Sequence, residues 1–374
     1  MKILITGGAG FIGTHLRAKL VANGHSVRIL DNLHPQVHGL NPADNYYDCD
    51  FNRGDVRDLV TVATAMKDID LVYHLAAETG VGQSQYEIER YISTNTLGTA
   101  VVLQAAVGAG VQQFVLTSSR AVYGEGMHAC PKCGSKFVPN SRKADDLERG
   151  NWEISCTSCG EEALPLPMTE SHPLKPISIY GLTKLQQEQV AGQVQKVHTM
   201  AVTNLRLFNV FGPGQSLNNP YVGVLGTFFR KIRSKTPLDI YEDGKMRRDF
   251  VYVADVVNTL TAVAMNKNTY NKTLNVGTGV PITLEQAARE MFEILGGEPK
   301  LKLTGKFRIG DIHHAVSDTS RLKNVINYIP DTSFREGLRS FTNWALNQKF
   351  DADNIDDAAE QQLKDRNLLG QAQK

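Results

Sequence analysis

The run K-I-L-I-T-G-G-A-G-F-I-G, residues 2–13, constrains the fold more than any other stretch of the chain. A short apolar, β-rich segment ends in three spaced glycines, Gly7, Gly10 and Gly13, and passes at once into the helical pattern T-H-L-R-A-K-L-V-A-N-G. Glycines so placed let the turn be tight, the backbone approach a pyrophosphate and the helix pack close to a sheet, while the first helical N–H groups point at the anion. Alone, a glycine triplet is weak evidence, since a tight turn that binds nothing is also compatible with it. The next apolar run, S-V-R-I-L, however, ends at Asp31. A carboxylate there accepts hydrogen bonds from an adenosine ribose diol and repels a ribose phosphate, so the expected cofactor is NAD rather than NADP.

The alternation continues through L-V-Y-H-L-A-A (71–77), F-V-L-T-S-S (114–119) and V-T-N-L-R-L-F-N-V (202–210), buried-strand runs separated by helical patterns. This predicts an α/β fold, a doubly wound parallel (Rossmann) sheet whose ligands sit at the carboxyl ends of the strands. Gly7, Asp31, Ala76 and Ser119 all fall at such ends. With 374 residues, 41% of them hydrophobic, the chain can build more than one unit. We expect an NAD-binding domain from 1–126, 166–212 and 246–265, a smaller α/β substrate lobe from 213–245 and 266–348, an insertion at 127–165 and a polar, weakly helical surface tail at 349–374. The net charge of +1 gives no long-range field for nucleic acid or an anionic membrane, so neither is an expected partner. No apolar run is long enough to span a bilayer and no signal-peptide pattern opens the chain, so a cytoplasmic location is expected.

The segment Y-G-L-T-K places Tyr180 and Lys184 one helical turn apart on the same face. A free tyrosine is a poor base at neutral pH, but a nearby ammonium and the positive nicotinamide ring both favour the phenolate. Ser119, at the end of its strand, is placed to hydrogen-bond the same substrate hydroxyl. His74 reads as a strand-end packing residue, and His313 and His314 have no evident partner in the sequence.

With these features, the chain resembles the extended short-chain dehydrogenase/reductase family and, within it, the NAD-dependent nucleotide-sugar epimerases. The likeness rests on G-G-A-G-F-I-G, D-N-L, G-D-V-R-D, H-L-A-A, N-T-L-G-T, S-S-R-A-V-Y-G, Y-G-L-T-K, L-R-L-F-N-V-F-G-P-G, R-R-D-F-V-Y-V and R-I-G-D, in the family's order. It implies a catalytic triad of Ser119, Tyr180 and Lys184. It also implies cofactor contacts from Gly7, Gly10, Phe11, Ile12, Gly13, Asp31 and Asn32. Asp55 and Val56 would lie near the adenine, Leu75, Ala76 and Ala77 along the cofactor, and Asn95, Tyr180 and Lys184 near the nicotinamide end. Glu78, Ser119 and Arg120 would meet the sugar of a nucleoside-diphosphate sugar, and Asn209, Arg248 and Arg308 its diphosphate, a task that suits the guanidinium fork. A homodimer is implied by the resemblance alone.

Dehydratases and decarboxylases of this family carry a carboxylate directly after the catalytic serine or threonine; here those positions are Arg120 and Ala121. Without that proton donor, reversible oxidation at carbon 4, and hence epimerisation, is the expected chemistry. A net nucleotide-sugar reductase or dehydrogenase is the enzymatic alternative. A regulator that senses NAD through the same scaffold is the alternative of another class.

Cys130, Cys133, Cys156 and Cys159 form two C-x-x-C-G knuckles inside the insertion, while Cys49 stands apart. The spacing suits a structural zinc bound by four thiolates, with a redox disulfide pair as the other reading. Because the insertion leaves and rejoins the chain between Ser119 and Tyr180, it is expected to cap or flank the sugar pocket.

Overall fold

The computed structural model describes residues 1–39, 48–221, 223–350 and 355–373. The stretches 40–47 and 351–354, Val222 and Lys374 lie outside the described residues, and with them Val222 of the expected substrate lobe and the start of the expected tail. Seven parallel strands form the main sheet: β1 (Lys2–Thr6), β2 (Ser26–Asp31), β3 (Asp50–Arg53), β4 (Leu71–His74), β5 (Gln113–Ser119), β6 (Ala201–Leu207) and β7 (Thr273–Val276). Their order is β7-β6-β5-β4-β1-β2-β3, so the chain reverses direction between β1 and β4 and opens a crevice at the carboxyl edge there. The central strands β5 and β6 are buried along their whole length, as expected where helices cover both faces.

Helix α1 (Phe11–Ala22) lays Leu16 and Leu20 on one face of the sheet beside Val256 and Leu260 of the helix Val253–Ala264. On the other face Phe114 and Val202 meet Val62, Val102 and Ala191, the last from α2 (Ile179–Val197). Side chains of this size, fully buried, contribute about 1.5–3 kcal/mol each, and the two layers fix the strand ends that carry the site.

The smaller lobe has its own core, in which Phe211, Phe229, Phe250 and Phe341 pack with Met291 and Leu338. Its sheet joins the strand Asn209–Phe211 to Arg247–Tyr252, which also pairs with Pro281–Thr283 and His314–Ala315. The expected boundaries are corrected here in two places. Residues 209–211 and 247–252 belong to the smaller lobe's sheet, and β7, expected in that lobe, is the edge strand of the main sheet. A four-residue apolar strand such as T-L-N-V fits either sheet, and only its long-range partner decides.

The insertion is a small antiparallel ribbon of His128–Ala129, Lys136–Phe137 and Leu164–Pro165. Each cysteine knuckle closes in the same way: Gly134 N–H donates to Cys130 O at 3.0 Å and Gly160 N–H to Cys156 O at 2.9 Å. Both glycines sit at positive φ, 72° and 76°, where a side chain would be strained.

Candidate active site

The crevice is a cleft of about 910 Å³ between the two lobes. At its floor Gly7 has φ 71°, and a Cβ there would lie 2.6 Å from the backbone nitrogen of Ala76; a Cβ on Gly13 would strike the Gly7 carbonyl. The turn is thus as tight as the sequence predicted. Helix α1 begins with no side-chain cap and no acid in its first turn, which leaves its leading N–H groups for an external anion. Asp31 is held by Ala9 N–H at 3.0 Å and Leu33 N–H at 2.9 Å, so its carboxylate is fixed at the cleft edge. Asn32, Val56, Leu75, Ala76 and Ala77 continue the wall with Phe11 and Ile12. An uncapped helix over a turn that excludes any Cβ, with a fixed carboxylate beyond it, fits a dinucleotide.

Ser119 ends β5 and caps the short turn Arg120–Tyr123, its Oγ accepting from Ala121 N–H at 3.1 Å. Helix α2 is capped by Ser178, whose Oγ accepts from Gly181 N–H at 3.0 Å. A Cβ on Gly181 would lie 2.6 Å from the Ala121 carbonyl, so only glycine lets the start of α2 press against the serine turn. That contact brings Tyr180 to the stretch of cleft wall that carries Ser119. Burial pushes the Tyr180 phenol above its ordinary value, against the pull of Ser119 and Arg120. Lys184 is buried, donates to Thr117 O at 2.8 Å, and is pushed down by burial to about 7. A second positive charge at the cofactor end, and a substrate hydroxyl in place of solvent, are what this pair requires to form a phenolate.

Three guanidinium groups, Arg120, Arg248 and Arg308, face the same cleft. Arg120 donates to Asn209 Oδ1 at 2.9 Å, while its Nη1 is buried with no hydrogen-bond partner. Burial first, and then Arg248, push Arg120 down to about 10, the mark of cations gathered without enough anions. Arg248 donates to His313 O at 2.8 Å and lies 3.5 Å from Asp311; Arg308 stacks on Tyr241 at 5.0 Å. Glu78 also lines the cleft but is paired with Arg90 at 2.6 Å.

One expected contact is corrected. Asn95 is fully buried behind the cleft: its amide donates to Glu78 O and Thr183 Oγ1, and its oxygen accepts from Glu78 N–H at 2.7 Å. It shapes the Glu78 loop and does not line the cleft. Asp55 sits between Gly54 and Val56 of the wall, its carboxylate binding Arg57 at 2.8 Å and accepting from the amide of the cleft-lining Asn32 at 3.4 Å. His74 is a packing residue as read, bonded to Thr6 and Thr99 and pushed down by burial to about 3.

The ribbon does not cap the cleft, since no residue of 127–165 lines it. It docks beside the smaller lobe through a buried charge seam. Arg142, 4% exposed, binds Glu242 at 2.8 and 2.9 Å and Glu125 at 3.2 Å. His313, partnerless in the sequence, lies between Glu242 at 2.8 Å and Glu153 at 3.3 Å, and these carboxylates outweigh burial to raise its pKa. Glu153, His313 and His314 offer metal-type donors, but His314 Nδ1 accepts Arg247 N–H at 3.2 Å, so its proton is on the Nε2 that faces Glu153. That tautomer makes a hydrogen-bonded seam, not a metal site. The four ribbon sulfurs, by contrast, lie within 4.8 Å of one another, with Cys130–Cys159 at 3.5 Å and Cys133–Cys156 at 3.6 Å. Tetrahedral thiolates about 2.3 Å from zinc are about 3.8 Å apart, so the residues fit that ion.

Sequence reasoning missed the last wall of the cleft, helix α4 (Ile355–Lys364), expected as a surface tail. The signal was present: Ala359 and Leu363, four apart in an otherwise polar run, are the buried pair.

The profile of the NAD dependent epimerase/dehydratase family matches residues 3–142 and 154–277. The chain belongs to this family. A relative in it, dTDP-L-rhamnose 4-epimerase of Burkholderia thailandensis, is 36% identical over 94% of this chain and 97% of its own. Among solved structures, the UDP-glucose 4-epimerase of Thermotoga maritima with UDP-glucose superposes with a TM-score of 0.75 at 30% identity, covering 92% of this chain and 99% of its own. The UDP-glucose 4-epimerase of Thermus thermophilus with NAD gives 0.75 at 25% identity, over 93% and 100% of the two chains. The seven-stranded sheet and glycine turn described above are therefore those of the epimerase/dehydratase family. Among the described residues no helix is long and apolar enough to cross a membrane.

Proposed function

We propose that the protein is an NAD-dependent 4-epimerase of a nucleoside-diphosphate sugar, with a dTDP-L-rhamnose-type substrate first and UDP-hexose or UDP-uronate second. One observation carries this reading. Ser119, Tyr180 and Lys184 converge beneath three guanidiniums, and the positions that carry the acid in dehydratases and decarboxylases are Arg120 and Ala121. The preference for dTDP-L-rhamnose rests on the 36% identical relative together with A-A-E-T-G-V-G-Q-S-Q, S-S-R-A-V-Y-G-E-G and the four-cysteine ribbon.

Gly7, Gly10, Gly13 and the start of α1 would hold the NAD pyrophosphate, and Asp31 the adenosine ribose. NAD, when bound, supplies the acceptor and then the donor of the carbon 4 hydrogen. Tyr180 takes the proton of the sugar 4-hydroxyl and later returns it, with Ser119 holding the same oxygen and Lys184 favouring the phenolate. Arg248, Arg308 and Asn209 hold the diphosphate, which keeps the nucleotide end fixed while the 4-keto sugar turns to present its opposite face. Arg120, whose Nη1 has no partner and carries two N–H donors, meets the phosphate or the sugar oxygen nearest to it. The four cysteines hold a structural zinc, which orders a ribbon too polar to make a core of its own.

The test is incubation with dTDP-, UDP-, GDP- and CDP-sugars, followed by sugar-proton NMR without added reductant. Inversion at carbon 4 with no net change in NAD supports the reading. Product formed only with stoichiometric reductant makes the protein a reductase, and loss of water or carbon dioxide makes it a dehydratase or decarboxylase.

A further inference from the structure

We propose that residues 355–371 form a strap that closes the cleft over the nucleotide sugar and retains its keto form during turnover. The inference rests on the nucleotide-sugar reading above and adds a moving wall to it.

Helix α4 spans the mouth of the cleft from one lip to the other. On the smaller lobe, Asp356 pairs with Arg230 and accepts from Thr227 Oγ1 at 3.1 Å, both on α3 (Val224–Arg233), and Asp357 pairs with Lys231 at 2.8 Å. Further along, Glu360 binds Lys306 at 2.8 Å and Tyr241 OH at 3.2 Å. On the opposite lip, Gln362 Oε1 accepts from Tyr86 OH at 2.9 Å and from Tyr221 OH at 2.8 Å, and Leu363 packs on Gly82. Arg366 then stacks on the Tyr86 ring at 4.3 Å. A ligand bound at Arg248 and Arg308 would therefore lie inside α4, with its way out crossed by the helix.

Three features separate a closing strap from a segment that blocks the site. First, its acids pair with Arg230, Lys231 and Lys306, and none forms an ion pair with Arg120, Arg248 or Arg308 among the described residues. The strap therefore does not take up the three guanidiniums that face the cleft, of which Arg248 lies 3.5 Å from Asp311 and Arg120 keeps a buried Nη1 with no hydrogen-bond partner. Second, the strap is one wall of a cleft that is open, about 910 Å³ with the dinucleotide crevice included, and does not fill it. Third, the strand Leu369–Gln371 pairs antiparallel with Lys306–Arg308, Leu369 opposite Arg308. The strap is thus built onto the strand that carries a diphosphate anchor, so a phosphate that orders Arg308 also favours the closed position.

The fastening is light. Along the helix, Lys231–Asp357 and Lys306–Glu360 join partly exposed side chains, which are individually weak; the Arg230–Asp356 pair, buried on the arginine side, the Gln362 hydrogen bonds and the two buried apolar residues Ala359 and Leu363 are the stronger points. Such a segment belongs to the low-stability end of a structure, able to open while the lobes stay folded. Its value to a 4-epimerase is specific: the keto sugar must turn over inside the site, and a closed outer wall makes return of the hydrogen faster than escape.

The test compares the full chain with a chain ending at Phe350, both loaded with NAD. Removal of the strap should raise KM for the nucleotide sugar roughly tenfold, change kcat by no more than about twofold, and release keto sugar that borodeuteride traps in solution. An unchanged or lowered KM with no trapped keto sugar overturns the proposal. If the shortened chain does not fold, Glu360→Gln and Gln362→Ala in the full chain must show the same KM rise and leak. Hydrogen exchange of 355–371 in the NAD-loaded full chain gives an independent readout. Slowing on addition of UDP or dTDP supports the strap; no slowing, or faster exchange, overturns it. A full chain that shows such slowing but epimerises no sugar in the panel refutes the proposed function and leaves the strap standing.

Discussion

Replacing Arg142 by methionine tests the seam that fastens the ribbon. The guanidinium is 4% exposed and satisfies two carboxylates, Glu125 and Glu242, that are each 1% exposed. Burial opposes charge on Glu242, but His313 and Arg142 together pull its pKa from 4.5 to about 2. At about 1.4 kcal/mol per unit this is about 3 kcal/mol of charge stabilisation, shared between the two cations. Glu125 is pushed the other way by burial, with Arg142 its main counterweight. Removing Arg142 strands both acids, and breaking a buried pair from one side typically costs about 3–5 kcal/mol. We expect Arg142→Met to lower the unfolding free energy by about 3 kcal/mol at neutral pH in urea titrations. The sign with pH follows from the depressed carboxyl. The contribution of Glu242 is complete above its unfolded pKa and is lost as pH falls through its folded one. The gap between wild type and variant should therefore be steady near neutrality and narrow below about pH 5. A loss under about 1 kcal/mol at neutral pH, or a gap that widens on acidification, refutes the reasoning.

Tyr180→Phe should retain nucleotide-sugar affinity, measured by calorimetry, and lose at least about 10³-fold in kcat, because it removes the proton carrier and no anchor. Arg248→Met should instead raise KM about 10- to 100-fold with a smaller effect on kcat. Since burial raises the Tyr180 pKa, kcat/KM should climb as pH rises from about 6 towards 7, and since burial also pushes Lys184 down to about 7, the climb should flatten above that pH as the ammonium that favours the phenolate is lost; a profile falling between about pH 6 and 7 would contradict the assignment. The purified chain should carry about one zinc, and Cys130→Ser should release it and make 127–165 sensitive to protease; a metal-free ribbon resistant to proteolysis would exclude the ion.

What the sequence disclosed was local. Gly7, Gly13 and Asp31 announce the cradle because a tight turn, a helix start and a strand end are each written within a few residues. Ser119, Tyr180 and Lys184 are legible for the same reason, a strand end and one helix turn. The role of Gly181 was hidden, because only the approach of α2 to the Ala121 carbonyl makes a glycine necessary there. Asn95 looked like a ligand group and proved to be a brace for the Glu78 backbone, since motif position does not say which way an amide turns. β7 could not be assigned to a sheet, nor His313 and His314 to Glu242 and Glu153, because each pairing joins residues distant in sequence. The ribbon and the tail exchanged their expected places at the cleft for the same reason: proximity along the chain to Ser119 and Tyr180 did not make the ribbon their neighbour.

The ribbon has one further property. Its two ends meet, with Leu166 N–H donating to Met127 O at 2.9 Å and His128–Ala129 paired to Leu164–Pro165. A segment that departs and returns through neighbouring hydrogen-bonded strands is a cassette. Exchanging it for another would leave the covalent path from β5 to α2 closed at the same point, but a replacement has to bring its own partners for Glu125, Glu242 and His313, which Arg142 and Glu153 of the ribbon now supply.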